Sequence, residues 1–496
     1  MTQRLAVVLC VVTALTVQSG GLRAQPLSFV IRGAQVAAGT GGPLQRIDLR
    51  VEGDTIQGVG VIAERAGERV VDGAGLMLAP GFIDAHNHST DGLDRDPDAV
   101  TQVSQGITTA LLGQDGSSPF PLREYLARRR TAPAALNVAL LVGHATVRRQ
   151  VMGDDFRRAA TAAEVTRMEA LLAQEMREGA FGLSSGLEYE VGSYASTEEV
   201  LSLARVAARH RGFYISHIRD EADRTVEAVR EAIVIGEKAR LPVQITHIKL
   251  GTVGVWGKAP EIVAMIDAAR TRGVDVTADA YPYLAWSSNL KVLVPNRQWT
   301  DRASVKEALA DVGGGRNVQI TRLPKYPHYV GRRLDDIARS EGVSEVDLYI
   351  RLVQDGEAGV IGHTMIEEDM RTFYRQPWTM IASDGGVGMS HPRGAGTFPR
   401  VLGRFVRDEK WLSLPEAIRK MTALPAARLG LTDRGRIAVG MKADLVLFDA
   451  ATIVDRSTFE EPQLLSRGVR HVFVNGVQVW DHDHSTGVRP GRVLVR

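Results

Sequence analysis

The sequence predicts an α/β fold, a (β/α)8 TIM-like barrel carrying a small β-sandwich built from both chain ends. Three observations predict it. The ends are rich in short strands, the middle alternates apolar strands with helices, and the chemically capable side chains close those strands. The length of 496 residues leaves room for a barrel of about 250 residues with additions. Composition agrees: 44% hydrophobic, 24% charged and 50 glycines describe a folded chain with many turns, not a disordered one. The net charge of +2 and the lack of a basic tract argue against a nucleic-acid partner.

Residues 1–24 read as a secretory signal peptide. Arg4 gives a positive head, Leu5 to Val17 is almost wholly apolar, and small residues lead to Ala24. The apolar run falls short of the roughly 20 residues of a membrane span, so no stable membrane insertion is expected after cleavage. Leu9 before Cys10 argues against lipidation. Cys10 is the only cysteine, so the mature chain has none, as suits an exported, periplasmic or secreted protein without disulfides. Catalysis by cysteine and zinc ligation by cysteine are excluded as well.

Residues 25–78 hold strand-like runs at Phe29–Val36, Ile47–Val51, Thr55–Gly60 and Arg69–Asp72. Residues 433–496 repeat that texture at Ala443–Phe448 and Val469–Val474, with Asn475-Gly476 as a hairpin turn. Between them, residues 79–432 carry strands at Ala139–Val142, Phe213–Ser216, Val243–Thr246, Val274–Ala278 and Thr379–Ala382. Helices are expected at Ala162–Glu178, Thr197–Arg209, Ala222–Arg240 and Ala259–Arg272. A doubly wound open sheet competes, but no glycine-rich phosphate turn opens the first helix. Residues 290–375 read as an insertion or lid.

The twelve histidines are informative through their placement. His86 and His88 follow Pro80-Gly81-Phe82-Ile83-Asp84 and, two apart, share a face. His217, His247 and Asp384 each close an apolar strand, at the end where barrel enzymes work. Neutral imidazole with carboxylate suits zinc, with manganese, cobalt or iron as other divalent choices.

These motifs resemble the amidohydrolase superfamily and, within it, the D-aminoacylase (N-acyl-D-amino-acid deacylase) family. The resemblance runs from Pro80–His88 through Gly143-His144, Gly182–Tyr189, Ser216–Glu221, Thr246–Lys249 and Asp279–Tyr283. It continues to Ser383–Gly386, His391–Arg393 and Gly440–Val446. It implies hydrolysis of an N-acyl-D-amino acid to a carboxylate and a free D-amino acid by metal-bound hydroxide, with one or two Zn2+ ions. By position, His86, His88, His217, His247 and Asp384 match the metal residues. Asp384 is expected to relay the proton, and either the metal or a donor such as His144 to polarise the carbonyl. For the α-carboxylate, the resemblance points to Lys249, Arg393, Tyr189 and Tyr283. Arg219 joins them because it stands two residues past His217, as Lys249 does past His247.

The chain departs from the family at one position. The family commonly places a cysteine where Asp115 stands here. Glu188 is favoured as the bridging carboxylate over Asp115, whose alternative is an ordinary turn residue before Gly116. Trp256, Trp286 and the insertion are candidate walls of the side-chain pocket. The preferred side chain, the acyl group and the oligomeric state are not legible. An exported dipeptidase or cyclic-amide hydrolase is the rival enzyme, and an inactive binding protein the rival of another class. The expected partner is a small N-acyl amino acid or peptide-like substrate.

Overall fold

The computed structural model describes residues 28–356 and 358–496. The signal-peptide reading of residues 1–24 lies outside them. Among the described residues no helix is long and apolar enough to cross a membrane.

Eight parallel strands carry the site: β1 (Phe82–Asp84), β2 (Ile107–Leu112), β3 (Asn137–Leu140), β4 (Gly182–Gly186), β5 (Phe213–His217), β6 (Val243–Ile245), β7 (Val276–Ala280) and β8 (Thr379–Ile381). Each of the ladders β1–β2, β2–β3, β4–β5, β5–β6, β6–β7 and β7–β8 is parallel. The short strand Val142–Gly143, just past β3, pairs with β4. Beyond β8 the chain returns to β1: Asp384 N–H donates to His86 O at 2.9 Å and His88 N–H to Gly385 O at 2.7 Å. The order is therefore cyclic, and the residues just past the strands face one another. The strands are almost wholly buried on both faces, which is why they read as continuous apolar runs.

The intervening helices fall close to where their patterns put them. Ala162–Arg177 starts at a capping box, Thr161 with Glu164, and Thr197–Arg209 at a Ser196 cap. Thr225–Ala239 and Ala259–Thr271 follow.

The ends of the chain form two sheets. One has four strands: Ser28–Arg32, Asp48–Glu52, Thr55–Gly60 and Arg69–Asp72. The other has seven and mixes both ends, for Met77–Pro80 pairs with Leu445–Phe448. Phe29 of the first stacks on Phe473 of the second at 4.7 Å within a shared apolar layer. The expected single strand Phe29–Val36 is in fact two. Gly33, at φ +73°, turns the chain out of the first sheet, and Gln35–Val36 joins the second.

Between β7 and β8 the chain leaves to build a separate unit. Trp286–Asn289, Val318–Arg322 and Gly359–Gly362 make an antiparallel sheet with its own apolar core, from Trp286 to Val360. This segment starts earlier and ends sooner than the 290–375 range read from charge content. Helix Glu367–Tyr374 lies past it and packs on helix Ala259–Thr271.

Candidate metal centre

The side chains past the strand ends meet in one cluster. His86 Nε2 lies 3.2 Å from His88 Nε2, and Asp384 Oδ1 lies 3.1 Å from His88 Nε2 and 3.4 Å from His86 Nε2. His217 Nδ1 is 3.0 Å from His247 Nε2. Asp115 sits between the pairs: its carboxylate is 3.4 Å from His86, 3.5 Å from His88, 3.8 Å from His247 and 4.0 Å from His217. Ligand atoms of His86, Asp115, His247 and Asp384 all lie within 4.8 Å of one another, and so do those of His217, Glu221 and His247.

The backbone is bent to make this possible. Asp115, His247 and Asp384 have φ of +54°, +32° and +47°, a left-handed conformation that side chains other than glycine rarely adopt. Asp115 stands in the turn after β2. There the chain comes so close to Gly143 that a Cβ on that glycine would lie 2.3 Å from Gly116 O.

Three buried histidines, the more exposed His88 and two carboxylates in contact make an unusual electrostatic unit. Burial disfavours ionising Asp384, but Arg393, His86 and His247 outweigh it and hold the carboxyl far below its ordinary range. Asp115 is likewise held well below its ordinary value, against burial, by His86 and His247. Burial lowers His247, whereas Glu221 and Asp384 raise it, to about 9. Asp115 Oδ1 is buried and has no hydrogen-bond partner. An orphaned carboxylate oxygen amid imidazoles is the donor set that a zinc-type cation satisfies, so the residues fit a metal.

The structure revises the relative standing of Asp115 and Glu188. Glu188 accepts from His217 Nε2 at 2.8 Å and from the Glu221 N–H at 3.1 Å, and it reaches no other histidine. Asp115 reaches all four, because the left-handed turn carries it inward while Glu188 lies past the end of β4 on one side.

Three further expectations are corrected. His144 is fully buried against Glu199, 2.9 Å away, and does not line the cavity; it opens helix His144–Met152, which turns its ring toward Glu199. Arg219 is engaged by Glu231 through two bonds of 2.8 Å, because β5 ends at His217 and alternation stops there. Tyr283 donates to Asp455 at 3.2 Å, in the packing beneath Arg400.

Tyr189, Lys249 and Arg393 do line the cavity, which encloses about 530 Å³ above the cluster. Lys249 Nζ pairs with Glu221 at 2.5 Å, and Arg393 with Asp384 at 2.7 Å. Arg393 Nε is buried without a hydrogen-bond partner. The Tyr189 ring lies 4.3 Å from that of His217. Trp286 lines the same space, together with Val292–Asn296, Ala308 and Val312 of the inserted unit; Trp256 does not.

Two residues complete the centre that the sequence reading left out. Asp279 accepts from His247 N–H at 2.8 Å and lies 3.3 Å from His86 Nδ1, which orients that imidazole. It falls within β7, where the strand-end rule used for His217 and His247 also applies. Glu221 lies 2.9 Å from His247 Nδ1 and was visible only as part of the Ser216–Glu221 motif.

The amidohydrolase family profile matches residues 69–480. Over 497 residues the chain is 38% identical to the D-aminoacylase of Alcaligenes xylosoxydans xylosoxydans, covering 95% of this chain and 98% of that one. The chain belongs to the amidohydrolase family, in its D-aminoacylase branch. This amidohydrolase is also 38% identical to the N-acyl-D-aspartate deacylase of the same organism, over 94% of each chain. A solved N-acyl-D-glutamate deacylase from Bordetella bronchiseptica, complexed with zinc and a phosphonate mimic of the tetrahedral intermediate, superposes with a TM-score of 0.86. Its identity is 35%, covering 95% of this chain and all of that one. The fold is accordingly the TIM-barrel-like amidohydrolase fold with an extra domain.

Proposed function

We propose that this amidohydrolase removes the acyl group from N-acyl-D-amino acids, releasing a carboxylate and a free D-amino acid. The observation that carries the reading is Asp384, ligand-placed between His86, His88 and Arg393 at the floor of the cavity. Relatives named for that reaction at 38% identity support it.

His86, His88, Asp115, His217, His247 and Asp384 would hold one or two zinc-type ions, with Asp115 favoured over Glu188 for the place between them. Such an ion lowers the pKa of water and polarises a carbonyl, giving a nucleophile at neutral pH. Asp384, kept ionised by Arg393, accepts the proton from water and returns it to the leaving nitrogen. Without that proton the amine departs poorly. Arg393 and Lys249, with Tyr189 beside them, bind the substrate α-carboxylate, since a guanidinium and an ammonium in the cavity wall offer a carboxylate charge-assisted hydrogen bonds.

The wider architecture fits the same reading. The cyclic strand order favours a closed (β/α)8 barrel over residues 79–432, and the shared layer under Phe29 and Phe473 favours a β-sandwich from residues 25–78 and 433–496. The leader at residues 1–24 favours export, which N-terminal sequencing of the mature protein tests.

The deciding assay offers zinc-loaded protein matched N-acetyl-D- and N-acetyl-L-amino acids. Turnover confined to D-compounds is expected, and equal turnover of both rejects the stereochemical assignment.

A second reading has one specific observation behind it. Asp220, Asp223, Glu307 and Asp311 line the outer cavity with Arg224 as the cation among them. Burial raises Asp311, and Asp223 and Glu307 raise it further by like-charge repulsion. A rim of this sign welcomes the ammonium of a dipeptide ending in a D-residue. Faster turnover of such dipeptides than of N-acetyl compounds is the mark of that reading.

A further inference from the structure

A second group of metal-type ligands lies far along the chain from the cavity, at the edge of the seven-stranded sheet. His471, in strand Val469–Val474, stands directly opposite Asp481, in strand Val477–Asp481. Facing side chains of an antiparallel pair share one side of the sheet. His482 begins the two-residue turn to His484 and comes back over the pair, its ring 4.5 Å from that of His471. Asp481 Oδ1 lies 3.0 Å from His471 Nδ1 and 2.7 Å from His482 Nδ1. All three offer ligand atoms within 4.8 Å of one another.

The hydrogen bonding around His471 shows that this is not an ordinary surface ion pair. Arg69 donates to Gln478 Oε1, so the other end of that amide, Nε2, is the one facing His471. Nε2 can only donate, so His471 Nδ1, 3.1 Å away, accepts and carries no proton. The 3.0 Å contact between Nδ1 and Asp481 Oδ1 then sets lone pair against lone pair. A cation between them turns that contact into ligation.

The turn points the same way. His482 and Asp483 have φ of +42° and +70°, the two left-handed residues of a hairpin turn that Asn-Gly fills at least strain. The chain keeps a histidine there, and the bond from His482 N–H to Arg470 O at 2.8 Å fixes it. Three of the twelve histidines, His471, His482 and His484, gather at this hairpin.

We propose that His471, Asp481 and His482 form a second, peripheral site for one divalent transition-metal ion of the Zn2+, Cu2+ or Ni2+ class. Two imidazoles and one carboxylate suit those ions, not Mg2+ or Ca2+. Arg69 and Arg470 line the same groove, and their charge further disfavours an ion held by electrostatics alone. All three ligands belong to one hairpin of the seven-stranded sheet and the turn that follows it, so the ion would clamp those two strands and the turn together.

The test is zinc content after equilibrium dialysis of the full mature chain, alongside His482→Gly. Glycine adopts the turn's φ freely, and the exposed position keeps the fold safe; His471→Gln is the second variant. The expected result is one zinc equivalent fewer in each variant, with amide hydrolysis unchanged. Added Cu2+ should give wild type an additional nitrogen-coordinated EPR signal that the variants lack. Equal zinc content in wild type and both variants overturns the site. Zinc loss matched by loss of hydrolysis also overturns it, since the missing ion would then be that of the cavity.

Discussion

Arg393 holds one oxygen of Asp384 at 2.7 Å while the other oxygen faces His88 at 3.1 Å. The pair is buried, so neither charge has water to fall back on. Arg393 is therefore placed to act on the candidate metal centre through Asp384, beyond the carboxylate binding proposed for it. Arg393→Ala is expected to lower kcat and raise KM together, with kcat/KM falling on the order of 10²-fold or more. Steady-state kinetics on an N-acyl amino acid and its neutral amide separate the parts. The kcat loss should appear with both substrates, and the KM rise mainly with the acid.

Asp384→Asn keeps the shape and removes the charge. Turnover should fall about 10²–10⁴-fold, the range for losing a positioned proton carrier. Substrate binding, followed by calorimetry, should change far less, and an equal loss in both would make Asp384 a binding residue only.

Asp115 and Glu188 make opposite predictions. Asp115→Asn should weaken zinc binding about 10-fold or more, whereas Glu188→Gln, at the periphery of His217, should cost less. Asp115→Cys should retain metal and activity, because a thiolate is itself a zinc ligand. Metal content against competing chelator reads all three.

Arg219 is assigned to structure, so Arg219→Met should leave KM unchanged. It should cost about 1–3 kcal/mol of stability, less than a fully buried pair because the Arg219 side chain is 29% exposed. Thermal unfolding beside kinetics checks both halves.

The proton on His247 makes stability and metal uptake depend on pH. Its pKa in the folded metal-free chain is raised from 6.5 to about 9, against burial, by Glu221 and Asp384. A raised value stabilises fully below 6.5, and that contribution disappears as pH rises through about 9. Metal-free protein should therefore melt at lower temperature as pH climbs through that window. Metal binds the neutral ring, so apparent zinc affinity should climb over the same window as the competing proton leaves. A zinc affinity that is flat with pH would falsify this account of His247.

Much of the centre was legible because strand ends are legible. A run of buried apolar residues closed by His or Asp places that side chain at the ring's mouth, and five candidate ligands follow from this rule. The rule failed where the strand had already stopped. Arg219 and Lys249 stand at the same offset from their histidines, yet one turns to Glu231 and the other into the cavity. Period-two alternation has no force in a loop. Asp115 was undervalued because a left-handed turn looks like any Asp-Gly turn until its partners are seen. His144 and Tyr283 pair with Glu199 and Asp455, residues 55 and 172 positions away, which no local pattern reveals. Gly33 split an expected strand between two sheets for the same reason: it reads as a permissible strand residue unless its φ is known.

The cavity has two owners. Its floor comes from the ends of the parallel strands, whereas much of its wall comes from the inserted unit at 286–362, which carries a separate apolar core. Substitutions in Val292–Asn296 can thus alter which molecules enter without disturbing the groups that break the bond. Descendants of this chain can acquire new diets while inheriting the same chemistry, and a designer can recombine inserted units among relatives as exchangeable parts.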